Sequence, residues 1–231
     1  MLIYGRNVAY EILNLKPEII KKIYIQSGFD DRNVISLIEK NKFNIKTLSR
    51  DQMDNLANGV HQGIILDVSD YKYFKMDDIK EDANFIVMLD HIEDPHNFGA
   101  IIRTCEAAGV EYIIVPQDRE VLVNSTVMKT SAGSLIRSKI VKVPNLSNAI
   151  SKLKDMGFWI YASAMDGEDF TEIDYSSKTC LIIGNEGKGI SPIVRKNSDY
   201  IVSIPMKGVI NSLNASVATG ILIYEVVRNR K

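Results

Sequence analysis

Between residues 85 and 206 the chain lays down six short apolar runs: FIVMLDHI, EYIIVPQ, SKIVKVP, FWIYASAM, KTCLIIGNE and YIVSIPM. Each is rich in Ile or Val, and segments with helical spacing lie between them. That pattern leaves few folds open. A run that is apolar on both sides of its pleat must be buried on both faces, so the strands belong to a mainly parallel sheet with helices above and below. Helices are predicted at 98–108, 124–135, 147–156, 191–198 and 214–228. In such a sheet the ligand lies beyond the carboxyl ends of the strands. The residues that follow each run are therefore the ones to read for function.

Residues 1–70 repeat the alternation on a smaller scale. A helix is predicted over 7–15, a strand in KKIYIQS, and a helix in DRNVISLIEKNK with Asp30 or Asp31 as its cap and Val34, Leu37 and Ile38 on one face. A strand near 44–48, a helix in RDQMDNLAN and a strand in QGIILDVSD follow. The 231 residues thus divide into a small α/β domain (1–70), a charged and aperiodic stretch (71–84) that reads as a linker or peripheral helix, and a larger domain (85–231). No run of about 18 apolar residues is present, so no segment is expected to span a membrane. The start, MLIYGRNVAYEILNLK, lacks the pattern of a secretory signal. Cys105 and Cys180 have no paired spacing and read as reduced, small hydrophobic residues of a cytosolic protein.

Charge narrows the partners. With 28 Lys+Arg against 29 Asp+Glu the formal net charge is −1, which excludes a general polyanion binder working by basic excess. Nucleic-acid contact would rest on local clusters: Lys16, Lys21 and Lys22, or Lys129 and Arg137, or Arg228, Arg230 and Lys231. Such clusters are more often ordinary solvated faces.

The first loop, LDHIEDPHNFGAIIRTCEAAG, gathers Asp90, His91, Glu93, Asp94 and His96, yet it is a poor metal site. Asp90 and His91 lie within or just after a strand, where neighbours are expected to point to opposite faces, His96 lies past a proline turn, and no HExxH or paired Cys follows. The cluster reads as turn chemistry. Pro95 fixes the turn, and Asp94 or Asn97 caps a helix beginning near Phe98, with Ala100, Ile101, Thr104 and Ala108 as its apolar face and Gly109 as its stop. Arg103 falls on the second turn, placed for an anion. The second loop, GNEGKGIS, has Gly184, Gly187 and Gly189, which let backbone approach a ligand closely. It lacks the lysine of a phosphate loop, and Glu186 would repel phosphate. The third, KGVINSLNASVATG, places Ser212, Asn214 and Ser216 at the entry of a helix that is apolar on most sides, as an interface helix would be. Three polar loops thus converge on one sheet edge and predict a small-molecule pocket with a polar reaction site. No nucleophile–base triad or carboxylate pair stands out, so the residues alone do not name the reaction.

Taken together, DPHNFGAIIRTCEAAG, IIGNEGKGIS and IPMKGVINSLNASVA resemble, in order and spacing, the three motifs of the SpoU (TrmH) family of RNA ribose 2′-O-methyltransferases in the SPOUT superfamily. YGRNVAYEIL and VHQGIIL resemble that family's N-terminal substrate-binding domain, which is related to kink-turn-recognising ribosomal proteins. The resemblance covers nearly the whole chain. It implies a C-terminal parallel-sheet domain with a deep trefoil knot, S-adenosylmethionine as methyl donor, a homodimer built on the last helix, a cytoplasmic location, and no metal. It is nearest to enzymes acting on a guanosine of 23S rRNA, with tRNA enzymes as the alternative. By motif position it implies that Asn97, Arg103, Glu186, Ser212 and Asn214 serve catalysis. It places the cofactor on Gly184, Ile204 and Leu213, with Ser163, Ala164, Gly187 and Met206 near it. A non-catalytic RNA-binding relative would have no need of all five catalytic residues.

Overall fold

A computed structural model describes residues 1–230 apart from Asn58 and Arg119; Lys231, one of the basic residues noted above, lies outside the described residues. In chain order the first elements are β1 (Leu2–Tyr4), α1 (Arg6–Leu15), β2 (Ile20–Gln26), α2 (Arg32–Lys40), β3 (Ile45–Leu48), α3 (Arg50–Leu56), β4 (Ile64–Val68), β5 (Phe85–Asp90) and α4 (Pro95–Ala107). There follow β6 (Tyr112–Pro116), α5 (Ser125–Thr130), β7 (Ile140–Val143), α6 (Leu146–Asp155), β8 (Trp159–Asp169), β9 (Thr179–Gly184), α7 (Pro192–Asn197), β10 (Tyr200–Ser203) and α8 (Ala215–Asn229). They form two units: Met1–Lys72 with Val123–Arg137, and Tyr73–Leu122 with Ser138–Lys231.

In the first unit a four-stranded mixed sheet runs β1-β4-β2-β3. Strand β1 is too short to show a period and escapes the sequence reading; it pairs antiparallel with β4 from Leu2 to Tyr4. Helix α1 buries Val8, Ala9, Ile12 and Leu13. Asp31, not Asp30, caps α2 by accepting from Val34 N. Ser49 and Gln52 form a reciprocal capping box on α3, satisfying two backbone donors at once. The segment 123–137 departs from expectation twice. It belongs to this unit, although it lies in sequence between β6 and β7, and its helix is half the predicted length. Ala132 and Gly133 take φ of +50° and +88°, a left-handed reversal that ends a helix. A 3₁₀ turn, Ser134–Ile136, follows. Val127, Met128, Leu135 and Ile136 enter the core, and Arg137 is tied to Glu11 at 2.5 Å.

The second unit is built on six parallel strands in the order β10-β8-β9-β5-β6-β7. All of β5 is buried, which explains its unbroken apolar run. The chain leaves β5 toward β6 and β7 on one side and later fills β8, β9 and β10 on the other, so the order switches between β5 and β9. The stretch before β5 forms no peripheral helix beyond a 3₁₀ turn at Met76–Asp78; Phe74 bridges to Val141, and Ile79 and Ala83 are buried. Cys105 and Cys180 are free and buried, and burial pushes both thiols well above their ordinary range. Among the described residues no helix is long and apolar enough to cross a membrane. At the end of the chain Arg228 pairs with Glu225, while Arg230 donates to Asn84 and to the carbonyls of Tyr175 and Ser177. Arg230 thus ties the end of the chain to the stretches before β5 and β9, whereas the Arg228 pair stays within α8.

Helix α4 opens three residues earlier than expected. Pro95 is its first residue and Asp94 its cap, accepting from His96 N at 2.9 Å. Its buried side is Phe98, Ile101, Ile102 and Cys105, not the face through Ala100, Thr104 and Ala108. The correction follows from α8, which packs against α4: small residues serve where a second helix comes close, with Thr104 Cγ2 lying 3.9 Å from the position a Cβ on Gly220 would take. Because Asp94 does the capping, Asn97 is left for other work.

Candidate active site

The switch between β5 and β9 is where ligands settle in open parallel sheets, and the polar residues gather there. Asp90 ends β5 with 1% of its surface exposed. One carboxylate oxygen accepts from Ser191 N at 2.6 Å and the other meets His91 Nδ1 at 2.5 Å. His91 takes φ +66°, a conformation uncommon outside glycine and retained where surrounding bonds enforce it. Here they do. Asn185 Nδ2 donates to His91 O at 2.8 Å, and the next residue, Ile92, exchanges two bonds with the loop after β6: Ile92 N donates to Glu120 Oε2 (2.8 Å) and Val121 N donates to Ile92 O (3.0 Å). The other oxygen of Glu120 is buried without a partner among the described residues. Burial pushes this carboxyl up to about 9, against the pull of backbone N–H groups at Ile92 and His91 and with the charges of Asp90 and Glu186 adding to the rise. At neutral pH Glu120 is therefore a neutral acid.

Beside this turn lies a directed relay. Asn97 Nδ2 donates to Glu186 Oε1 at 2.5 Å, and Asn97 Oδ1 accepts from Asn214 Nδ2 at 3.0 Å. An ionised carboxylate only accepts, so Asn97 must turn its amide nitrogen to Glu186 and its oxygen to Asn214. Asn214 Oδ1 in turn accepts from the backbone N and the hydroxyl of Ser216, which makes Asn214 the N-cap of α8. One chain of hydrogen bonds thus joins α4, the loop after β9 and the start of α8. That loop is also hydrogen-bonded within itself: Asn185 Oδ1 accepts from Gly187 N and Lys188 N, and Asn185 and Gly189 exchange backbone bonds at 3.1 and 2.8 Å.

Of the five residues read as catalytic, the structure joins Asn97, Glu186 and Asn214. Arg103 stands exposed on α4, about 9 Å along the axis from Asn97, and makes no hydrogen bond or ion pair among the described residues. Ser212 is likewise exposed and unbonded among them. The residues read as cofactor-binding all lie at the carboxyl edge. Gly184 ends β9, where a Cβ would come within 2.3 Å of Gly189 C and 2.4 Å of Ile190 N; only glycine fits. Gly187 is less constrained, with Asn185 Oδ1 at 3.6 Å from such a Cβ. Ser163 and Ala164 lie in the part of β8 that pairing with β10 skips, since the register jumps from Ala162 to Glu168. Ile204, Met206 and Leu213 follow β10, the latter two partly exposed. The sequence reading does not anticipate Glu120, Asn185 or Ser191. Glu120 lies outside every motif, and although Asn185 and Ser191 fall within GNEGKGIS, their partners His91 O and Asp90 are brought near only by the sheet order. Among the described residues no group of three or more His, Cys, Asp or Glu side chains is gathered as metal ligands would be.

The sequence and fold match those of known proteins. Residues 84–224 match the SpoU rRNA Methylase family, and residues 2–74 match the RNA 2′-O ribose methyltransferase substrate binding family. A protein of Staphylococcus haemolyticus assigned to the TrmH family of tRNA/rRNA methyltransferases is 35% identical over 240 residues, covering 100% of this chain and 96% of its own. A Bacillus subtilis protein with the same assignment is 35% identical over 237 residues, covering 99% and 95%. Among solved structures, the SpoU methyltransferase AviRb of Streptomyces viridochromogenes in complex with AdoMet has a TM-score of 0.85 at 25% identity, over 100% of this chain and 90% of its own. The TrmH/SpoU tRNA modifying enzyme of A. aeolicus is 38% identical with a TM-score of 0.59, over 64% of this chain and 75% of its own.

Proposed function

The chain belongs to the SpoU rRNA Methylase family, and from that premise we propose that it transfers a methyl group from S-adenosylmethionine to the 2′-hydroxyl of a ribose in RNA. The observation that carries this reading is the Asn214–Asn97–Glu186 relay, which sets three polar side chains from distant elements at the carboxyl edge of the sheet. The surroundings suit the donor. Backbone approaches closely at Gly184, and Ile204, Met206 and Leu213 offer apolar surface, so a ligand there would be held by main-chain groups and apolar contact. When bound, the sulfonium supplies an activated methyl group.

The chain's own task is to bring a weak nucleophile into line and to ease loss of its proton. Arg103 is effectively always protonated. Its role is to anchor a phosphate next to the target ribose and to stabilise charge developing on the oxygen, where a planar bidentate donor excels. Its lack of any partner among the described residues leaves the guanidinium available. Asn97, Glu186 and Asn214 orient the site, and the exposed Ser212 hydroxyl would help to orient the ribose.

Ribosomal RNA, most specifically a guanosine of 23S rRNA, is the substrate we favour, and tRNA is the alternative. A net charge of −1 favours recognition of folded RNA by shape over generic backbone attraction. Helix α8 buries Leu222, Ile223 and Val226 but exposes Val217 and Tyr224, which supports a homodimer through this helix. A cytoplasmic enzyme needing no metal completes the reading. The test is transfer of labelled methyl from S-adenosylmethionine to unmodified 23S rRNA and, in parallel, to tRNA, with Arg103→Ala as control. Label on a ribose oxygen of rRNA, lost in the variant, supports the proposal. Label in tRNA alone overturns the substrate, and failure to bind S-adenosylmethionine overturns the reaction.

A further inference from the structure

The first unit contains a cavity of about 520 Å³ with Arg6, Gln26, Phe29, Arg50, His61 and Gln62 in its walls. The two stretches YGRNV and VHQGI supply one part of its wall, and Gln26, Phe29 and Arg50 are among the residues that supply the rest. Gly5 is the N-cap of α1 and has no side chain to give the first turn, so Gln62 supplies the cap from across, its Oε1 accepting from Arg6 N at 2.8 Å. Gln62 takes φ +53° to do this and Gly63 follows at +85°. Buried His61 locks that reversal: its Nδ1 accepts from Gly63 N at 2.9 Å, so the ring proton sits on Nε2 and is donated to Asp54 at 2.9 Å.

The product of this bracing is a fixed guanidinium. Arg6 Nε donates to Gln62 O at 3.2 Å, a terminal nitrogen reaches Asp30 at 3.4 Å, and the guanidinium carbon lies 5.2 Å from the centre of the Phe29 ring. Phe29 is itself wedged against Gly63, where a Cβ would fall 2.8 Å from the ring. Two of the guanidinium nitrogens thus have partners, the group lies over the Phe29 ring, and both Arg6 and Phe29 line the cavity. Asp30, Asp31 and Asp54 stand close by, which disfavours a ligand that is only phosphate. Arg50 at the rim has a 3.8 Å contact to Asp54 and an otherwise exposed side chain. The side chain of Gln26 and the Nε2 of Gln62 make no hydrogen bond among the described residues, so amide groups remain to read an edge.

A guanidinium plane stacks on an unpaired base as an aromatic ring does. The volume falls in the range of about 300–1,000 Å³ typical of small-ligand sites. We propose that this cavity receives one unstacked nucleotide of the RNA substrate, its base laid on the Arg6–Phe29 pair, its edge read by Gln26 and Gln62, and its phosphate met by Arg50. The inference rests on the reading that the chain acts on RNA. It adds that recognition requires a loop or bulge, since bases within a paired A-form helix are not offered for stacking.

The test uses the full chain and unmodified 23S rRNA, with tRNA in parallel, read by both methyl transfer and direct binding. Arg6→Lys keeps the charge but loses the plane. It is expected to raise KM for RNA about 5- to 100-fold, with kcat at saturating RNA and affinity for S-adenosylmethionine within about twofold. Arg50→Ala, at an exposed position, is expected to weaken RNA binding and to reduce the salt slope of affinity by about 1. It keeps the test open if the lysine variant proves unstable. Ultraviolet crosslinking of the wild-type complex should join an unpaired nucleotide to a peptide carrying Phe29 or His61. Wild-type KM and salt slope in both variants, or crosslinks from these peptides to paired RNA alone, would overturn the proposal. A wild-type chain that binds RNA in an Arg6-sensitive way yet transfers no methyl would instead overturn the reaction and keep the pocket.

Discussion

Glu120→Gln should make the second unit more stable, and increasingly so as the pH rises. The wild-type carboxyl stays protonated when folded, up to about 9, whereas in the unfolded chain it ionises near its ordinary value. Below that ordinary value both states hold the proton and nothing is lost. As pH rises above it, the unfolded chain releases its proton and the folded one does not, so stability falls by about 1.4 kcal/mol per pH unit until the folded group also ionises. Between pH 5.5 and 8 the ceiling is about 3 kcal/mol. Local relaxation and water reduce such shifts, so about 1–2 kcal/mol is expected. Glutamine keeps an oxygen for Ile92 N, now 2.8 Å away, and cannot ionise. The single tryptophan, Trp159, lies on β8 in the second unit, so urea unfolding followed by its fluorescence reads the right part of the molecule. Over that pH window the wild type should lose about 1–2 kcal/mol relative to the variant. Two curves that stay parallel from pH 5.5 to 8 would show that Glu120 is not held protonated, and the reasoning would fail.

Other outcomes follow from the same geometry. Asn97→Asp puts a carboxylate 2.5 Å from Glu186 where a donor stood; kcat should fall about 100-fold, with partial recovery toward acid pH as the facing groups share a proton, seen in a pH–rate profile. Gly184→Ala drives a methyl group into the backbone of Gly189 and Ile190 and should cost about 1–3 kcal/mol in stability together with affinity for S-adenosylmethionine in a calorimetric titration. Gly187→Ala, which meets only an ordinary contact, should stay within about 0.5 kcal/mol of wild type. Arg103→Ala should lower turnover about 100- to 1,000-fold, and Arg103→Lys should recover little of it; near-normal turnover in the lysine variant would argue against bidentate anchoring.

What the sequence made legible was whatever has a local cause. The apolar runs became parallel strands because burial on both faces leaves a continuous mark, and Gly109 ends α4 with φ +76° because a left-handed residue is needed there. Misread features had distant causes. The predicted 124–135 helix breaks at Ala132 and Gly133, where a Cβ on the glycine would fall 2.9 Å from Glu11 of α1, a neighbour far away in sequence. Spacing alone marks an apolar face on α4 but cannot tell a sheet-facing side from a helix-facing one. At the site the loops announced Asn97, Glu186 and Asn214 as polar outputs. Their order of bonding required the sheet order, as did the service of Glu120 and Ser191 to backbone and carboxylate partners on β5 and the turn after it.

Asn214 has two duties at once: its side-chain oxygen caps α8, and its amide nitrogen holds Asn97. On the ribosome α4 and β9 are both made before it. A nascent chain can therefore complete the sheet and still lack the third member of the relay until α8 has emerged and wound its first turn. The hydrogen-bonded relay is thereby timed to the docking of that helix, and on the proposed function so is the site it would orient.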